Sequence, residues 1–148
     1  MKLMKRLSMF ALVGILGLST FSCLNNDDAD FVNYGYFTTE GVTVNPDSIM
    51  PMNQTTNVRV NYSKTNSCQE FIQFSLLGGK QDDSIQYIGV LGSQGSGQSC
   101  LPSTSIESKI LKFTPKKAGK YTLKFWTGKN SENKDTYNDS IVLDIKEK

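Results

Sequence analysis

The sequence predicts an all-β fold, a two-sheet antiparallel sandwich of about seven strands. Three observations carry that expectation. Apolar and polar residues alternate in several short runs, as strands with one buried and one wet face require. Turn-forming residues punctuate these runs every eight to fifteen positions. No window shows the apolar spacing of an amphipathic helix.

The strand candidates follow in chain order. Tyr34–Thr39 is aromatic and Thr-rich, and Val42-Thr43-Val44 alternates before Asn45-Pro46-Asp47 breaks the run. Val58, Val60 and Tyr62 alternate with Arg59, Asn61 and Ser63, a half-buried strand. Phe71–Leu77 is densely apolar and ends at Gly78-Gly79, which suits a central strand. Ile85–Leu91 comes next, and Gly92–Ser99 reads as a flexible Gly/Ser/Gln loop. Ile106–Phe113 stops at Thr114-Pro115. Tyr121, Leu123 and Phe125 alternate with Thr122, Lys124 and Trp126; Gly128–Tyr137 reads as a polar loop; Ile141, Leu143 and Ile145 close the chain.

The amino-terminal segment reads as an address. Lys2, Lys5 and Arg6 precede an apolar run from Met9 to Leu18, then small residues and Cys23. A run of about ten residues is too short for a bilayer core that needs about 20, so residues 1–22 read as an export signal. Ser22-Cys23 after the apolar run resembles the lipobox of bacterial lipoproteins. Thr20 and Phe21 depart from its usual Leu and small residue, a looseness similar to that of gut-type anaerobic Gram-negative bacteria. The resemblance implies that Cys23 is acylated and becomes the mature terminus. The following Leu24-Asn25-Asn26-Asp27-Asp28-Ala29-Asp30 resembles the surface-export signal of the same lipoproteins. Residues 23–33 then form a lipidated tether and 34–148 the domain. The lipid supplies the membrane affinity, and the expected place is the outer membrane, facing the exterior, with the periplasmic face as alternative.

Cleavage changes the charge. The whole chain is +2, but the signal carries three basic residues and no acid, leaving the mature chain at −1. Nucleic acid is therefore not an expected partner. Residues 109–148 hold ten basic residues against five acids, and Lys109, Lys112, Lys116, Lys117, Lys120 and Lys124 suggest a lysine-rich face, more simply a guard against strand-edge pairing. Once Cys23 carries lipid, Cys68 and Cys100 are expected to pair; two free thiols or a thiolate metal site are the alternatives.

The stretch Phe113-Thr114-Pro115-Lys116-Lys117-Ala118-Gly119-Lys120-Tyr121-Thr122-Leu123-Lys124-Phe125 resembles the E–F region of immunoglobulin-like domains. There a Tyr near the start of strand F hydrogen-bonds back to the preceding corner; the resemblance gives that role to Tyr121. Leu123 stands where antibody domains have a cysteine, and the usual strand-C Trp is missing, with Phe71 or Phe74 available in its place. The resemblance thus implies an immunoglobulin-like sandwich without the inter-sheet staple. The Cys68–Cys100 link would join the start of the central strand to a loop. Residues 55–148 also look like a family of small lipoproteins with one such domain, which implies no activity.

Candidate sites are few. Strict alternation turns Trp126 away from the core, beside Thr122 and Lys124, where an indole can stack on a sugar ring or anchor a partner; alternatively the strand ends in a bulge and Trp126 covers the open end of the sandwich. Tyr137 and Tyr87 are further aromatic candidates. Asp82-Asp83 and Asp135, Asn138 and Asp139 offer oxygens for calcium, but too few for a cage, so no metal or other cofactor is expected. With no histidine in the chain there is no Ser-His-Asp triad. Glu70 and Glu107 could in principle pair as in sugar hydrolysis, though no spacing favours it, and no enzyme is expected. The triplet Asp-Ser-Ile recurs at Ser48, Ser84 and Ser140 and resembles an O-glycosylation acceptor, or else reflects turn chemistry before strands. The expected function is non-catalytic: a lipid-anchored surface module binding a glycan or protein. Alternatives are an accessory subunit of an envelope assembly that pairs through a strand edge, and a loop-based protease inhibitor.

Overall fold

The computed structural model describes residues 32–95 and 99–148. The expected export signal, Cys23 and the tether through residue 31 lie outside the described residues. Among the described residues no helix is long and apolar enough to cross a membrane.

The fold is all-β. The strands are β1 (Val32–Phe37), β2 (Thr39–Thr43), β3 (Thr56–Asn66), β4 (Gln69–Gly78), β5 (Ile85–Gly95), β6 (Pro102–Phe113), β7 (Gly119–Phe125), β8 (Gly128–Lys129), β9 (Asp135–Thr136) and β10 (Asp139–Ile145). A 3₁₀ turn at Pro46–Ser48 is opened by Asn45, whose side chain accepts from the Asp47 amide.

The strands form three sheets. One has β2, β3 and β6, all antiparallel. The second has five strands: β5 is its centre, with β4 along one edge, while β1 and β7 share the other edge and β10 flanks β7. The third is the small hairpin β8–β9. The strands β1 and β2 are nearly one run, interrupted at Thr38, where the chain passes from one large sheet to the other.

Period-2 alternation selects the core. From the three-stranded sheet come Val58, Val60, Tyr62 and Phe113; from the five-stranded sheet come Phe37, Ile88, Val90, Tyr121, Leu123, Phe125, Leu143 and Ile145; together they make one buried cluster. Phe37 lies over Gly92, where any Cβ would fall inside its ring, so this glycine is required by close approach. Tyr121 Oη donates to the Lys117 carbonyl at 3.0 Å, fixing the corner that leads into β7. Cys68 and Cys100 form a disulfide, with Cα atoms 5.2 Å apart.

Several expectations need correction. The run at Phe71–Leu77 lies in an edge strand, because β4 pairs with β5 alone and its register breaks twice, between Phe71 and Gln73 and between Leu76 and Gly78. The centre is β5. Cys68 accordingly opens an edge strand. With β5 in the middle, β5 and β7 run parallel, so the sheet is mixed rather than purely antiparallel. The loop expected from Gly92 is strand as far as Gly95, because β1 and β4 clasp it from both sides. The polar loop 128–137 contains the β8–β9 pair. The lysines form no single face: Lys109 and Lys112 lie on β6 and Lys120 and Lys124 on β7, in different sheets.

Candidate functional site

The site grows from the end of β7. Phe125 is the last residue of the strand and points into the core. The next residue, Trp126, is fixed by its backbone: its amide donates to the Ile88 carbonyl at 2.8 Å, and its carbonyl accepts from the Thr39 amide at 3.1 Å. Its indole is half-buried and absent from the core cluster. The indole Nε1 donates to Asp135 Oδ1 at 3.0 Å, and the ring lies 6.0 Å from that of Tyr36, tilted by 55°.

Tyr36 comes from β1, one position before the buried Phe37, so alternation turns it to the outer face. It is 39% exposed and lies over Gly89, where an added Cβ would approach Tyr36 Cδ1 to 2.6 Å. Leu77 flanks the same glycine. Two positions earlier on β5, Tyr87 meets Tyr137 edge-on, with centroids 4.8 Å apart. Lys124, two residues before Trp126, holds its Nζ 5.7 Å from the Tyr87 centroid. Burial holds the Tyr137 hydroxyl above the usual tyrosine range, and Asp135, Tyr87 and Tyr36 add to that effect.

Four aromatic side chains thus gather on the outer face of the five-stranded sheet, with Lys124 and Asp135 as polar neighbours. Aromatic faces present large contact area at low conformational cost, and a carboxylate and an ammonium beside them orient a partner by hydrogen bonds. Of the residues expected from sequence, the structure brings Trp126, Lys124 and Tyr137 into this cluster. Thr122 shares their face two residues before Lys124, and its amide donates to the Ser84 carbonyl at 2.7 Å. Tyr36 was not expected. Tyr34 and Tyr36 flank Gly35 at period 2, which marks one face, but which strand lies beside Trp126 is decided by the chain's path.

The two carboxylates considered as a pair lie on different sheets, and Glu107 is already engaged. Glu107, on β6, accepts from Lys64 Nζ at 2.9 Å and from Tyr62 Oη at 3.0 Å. Lys64 first and Tyr62 second hold its carboxyl below the usual range. Glu70 lies on β4 in the other large sheet, opposite Ser93. Tyr62 is fully buried, and burial, helped by Glu107, pushes its hydroxyl up to about 12. The loop acids serve turns and the indole: Asp83 Oδ2 accepts from the Lys80 amide at 2.7 Å, and Asp135 holds Trp126. Among the described residues no three acidic, Cys or His side chains gather as a metal site would require.

The three Asp-Ser-Ile serines fall in different settings. Ser48 ends the 3₁₀ turn and donates to the Asn45 carbonyl at 2.8 Å. Ser84 is exposed just before β5, and Ser140 is exposed on β10 opposite Lys124.

Comparison with known proteins finds no matching family model, no similar curated protein and no similar solved structure.

Proposed function

We propose that this protein is a non-catalytic surface-binding module, tethered to the outer membrane through an acylated Cys23 and facing the exterior. Its domain is read as an immunoglobulin-like sandwich in which the β4–β5 hairpin is reversed, so that its second strand lies beside β7. The shared core of the two large sheets and the Tyr121 corner support that reading. The partner, a glycan or a protein, docks on the outer face of the five-stranded sheet. One observation carries the proposal: Tyr36, Tyr87, Trp126 and Tyr137 cluster on a face the core does not use.

The experiment is a glycan array and a surface-protein capture run with wild type and Trp126→Ala. A tryptophan hot spot is worth about 2 kcal/mol or more, so a partner should weaken by roughly 30-fold. Partners that bind both proteins equally would sink the assignment of the site. Intact mass of protein from its native host tests the rest. A diacyl or triacyl increment on Cys23 is expected, and added hexoses would support glycosylation among Ser48, Ser84 and Ser140, while an unmodified mass beyond the lipid would sink it.

A second reading, an accessory subunit of an envelope assembly, is favoured by the long free edges of β4 and β6. In-cell cross-linking tests it, and recovery only as a monomer would count against it. The protease-inhibitor reading has no specific observation in its favour, and the Gly/Ser-rich composition of Gly92–Ser99 weighs against it.

A further inference from the structure

Between the edge strands β4 and β6 the inner faces of the two large sheets are not closed. A cleft of about 290 Å³ opens there, lined mainly by Phe74, Leu76, Ile88, Leu111 and Phe113 around Gln86. Its position follows from the topology. Leu76 stands opposite Ile88 and faces inward like it, yet Leu76 is 45% exposed where Ile88 is 5%. β4 is an edge strand, and its register with β5 breaks just after Leu76, between Leu76 and Gly78. An inner-face leucine is thus left at a mouth rather than in a core.

The polar group in this apolar lining is specific. Gln86 is only 4% exposed. Its Nε2 donates both hydrogens, to the carbonyls of Gln81 and Asp83. An amide nitrogen has no more to give, so what Gln86 offers the cleft is its Oε1, an acceptor. Among the described residues no protein donor reaches that oxygen. An acceptor in an otherwise apolar cleft selects for a donor on the ligand.

We propose that this cleft is a second binding site, distinct from the aromatic face, for a small amphiphile: an aryl or short alkyl group carrying one hydroxyl. The hydrocarbon packs among Phe74, Leu76, Leu111 and Phe113, and the hydroxyl donates to Gln86 Oε1. The volume sits at the lower end of the ~300–1,000 Å³ of small-molecule sites, which suits a single ring or short chain and excludes a folded partner.

Benzyl alcohol and anisole are isomers that differ in the donor, so they test the proposal directly. The full chain with labelled methyl groups is titrated with each in an NMR experiment. Benzyl alcohol should shift the Leu76, Ile88 and Leu111 methyls in a saturable way. It should bind roughly fivefold tighter than anisole, the factor one net hydrogen bond carries. Leu76→Trp, at the partly exposed mouth, fills the cleft and should abolish the shifts while the core methyls of Leu123 and Leu143 stay in place. Equal affinity for the two isomers, shifts confined to residues around Trp126, or an unchanged response of Leu76→Trp would each overturn the proposal. So would silence towards benzyl alcohol combined with β4 or β6 amide shifts on adding a strand-forming peptide, which would assign the region to edge pairing.

Discussion

The two large sheets turn very different faces outward. The three-stranded sheet shows Asn57, Arg59, Asn61 and Ser63 on β3 beside Lys112, Ile110, Ser108 and Ile106 on β6, in cross-strand register. Its residues satisfy one another, as Ser108 does by donating to Asn61. The five-stranded sheet shows two aromatic pairs, Tyr36 with Trp126 and Tyr87 with Tyr137. Both sheets meet the same demand from within, one residue in two directed to the core. What they place on the other side is free of that demand. Scattered isoleucines among polar residues need no special account, whereas four clustered aromatic rings with a carboxylate and an ammonium do.

The contrast can be broken or sharpened experimentally, beginning with the largest expected effect. Replacing Cys68 and Cys100 by serine unties an end common to both sheets, since the bridge links the β3–β4 turn to the approach to β6. The 32-residue separation predicts a loss of about 3–4 kcal/mol in the chain-entropy model, read from the urea midpoint. Binding at the aromatic face should be unchanged wherever the variant is folded; a specific loss of binding would mean that the two regions are coupled.

The next effect lies behind the three-stranded sheet. Tyr62 keeps its proton up to about pH 12 when folded, against 10.0 unfolded. A raised folded value means that the stabilisation is present in full below pH 10 and is lost as the pH rises through 12. Two units correspond to about 2–3 kcal/mol. Chemical denaturation across this window should show that loss in wild type and a smaller one in Tyr62→Phe.

Two glycines on one strand then separate core from face. Gly92→Ala drives a methyl into the Phe37 ring and should cost about 1–3 kcal/mol of stability. Gly89→Ala meets only the half-exposed Tyr36 and Leu77, which can yield. It should cost little stability but move Tyr36 away from Trp126, weakening partner binding. A Gly89→Ala protein with full binding would remove Tyr36 from the site. The smallest change should be a gain. Among the described residues Thr39 Oγ1 is buried with no hydrogen-bond partner, so Thr39→Val should raise stability by about 1 kcal/mol, measured by thermal unfolding.

Much was legible in the residues. Alternation in Val58–Tyr62, Tyr121–Phe125 and Ile141–Ile145 marked core strands, because a strand's side-chain period is fixed locally. It also placed Thr122, Lys124 and Trp126 on the side of β7 away from the core, whereas Tyr137 was a candidate only as an aromatic residue. The identity of the central strand was not legible. Phe71–Leu77 is as apolar as Ile85–Leu91, and apolar density does not report how many neighbours a strand has. Gly92–Gly95 has the composition of a loop, and it becomes strand only because β1 and β4 pair with it.

The sequence by itself determined the all-β class and the pairing of the two domain cysteines. Each depends on local periodicity or on counting. Only the tertiary structure decided the rest. It made β5 the centre of a mixed sheet, brought Tyr36 to Trp126 across Gly89, and left the β4–β6 side open over Gln86. Those outcomes depend on which strands meet across long stretches of chain, and a period of two residues carries no information about its neighbours.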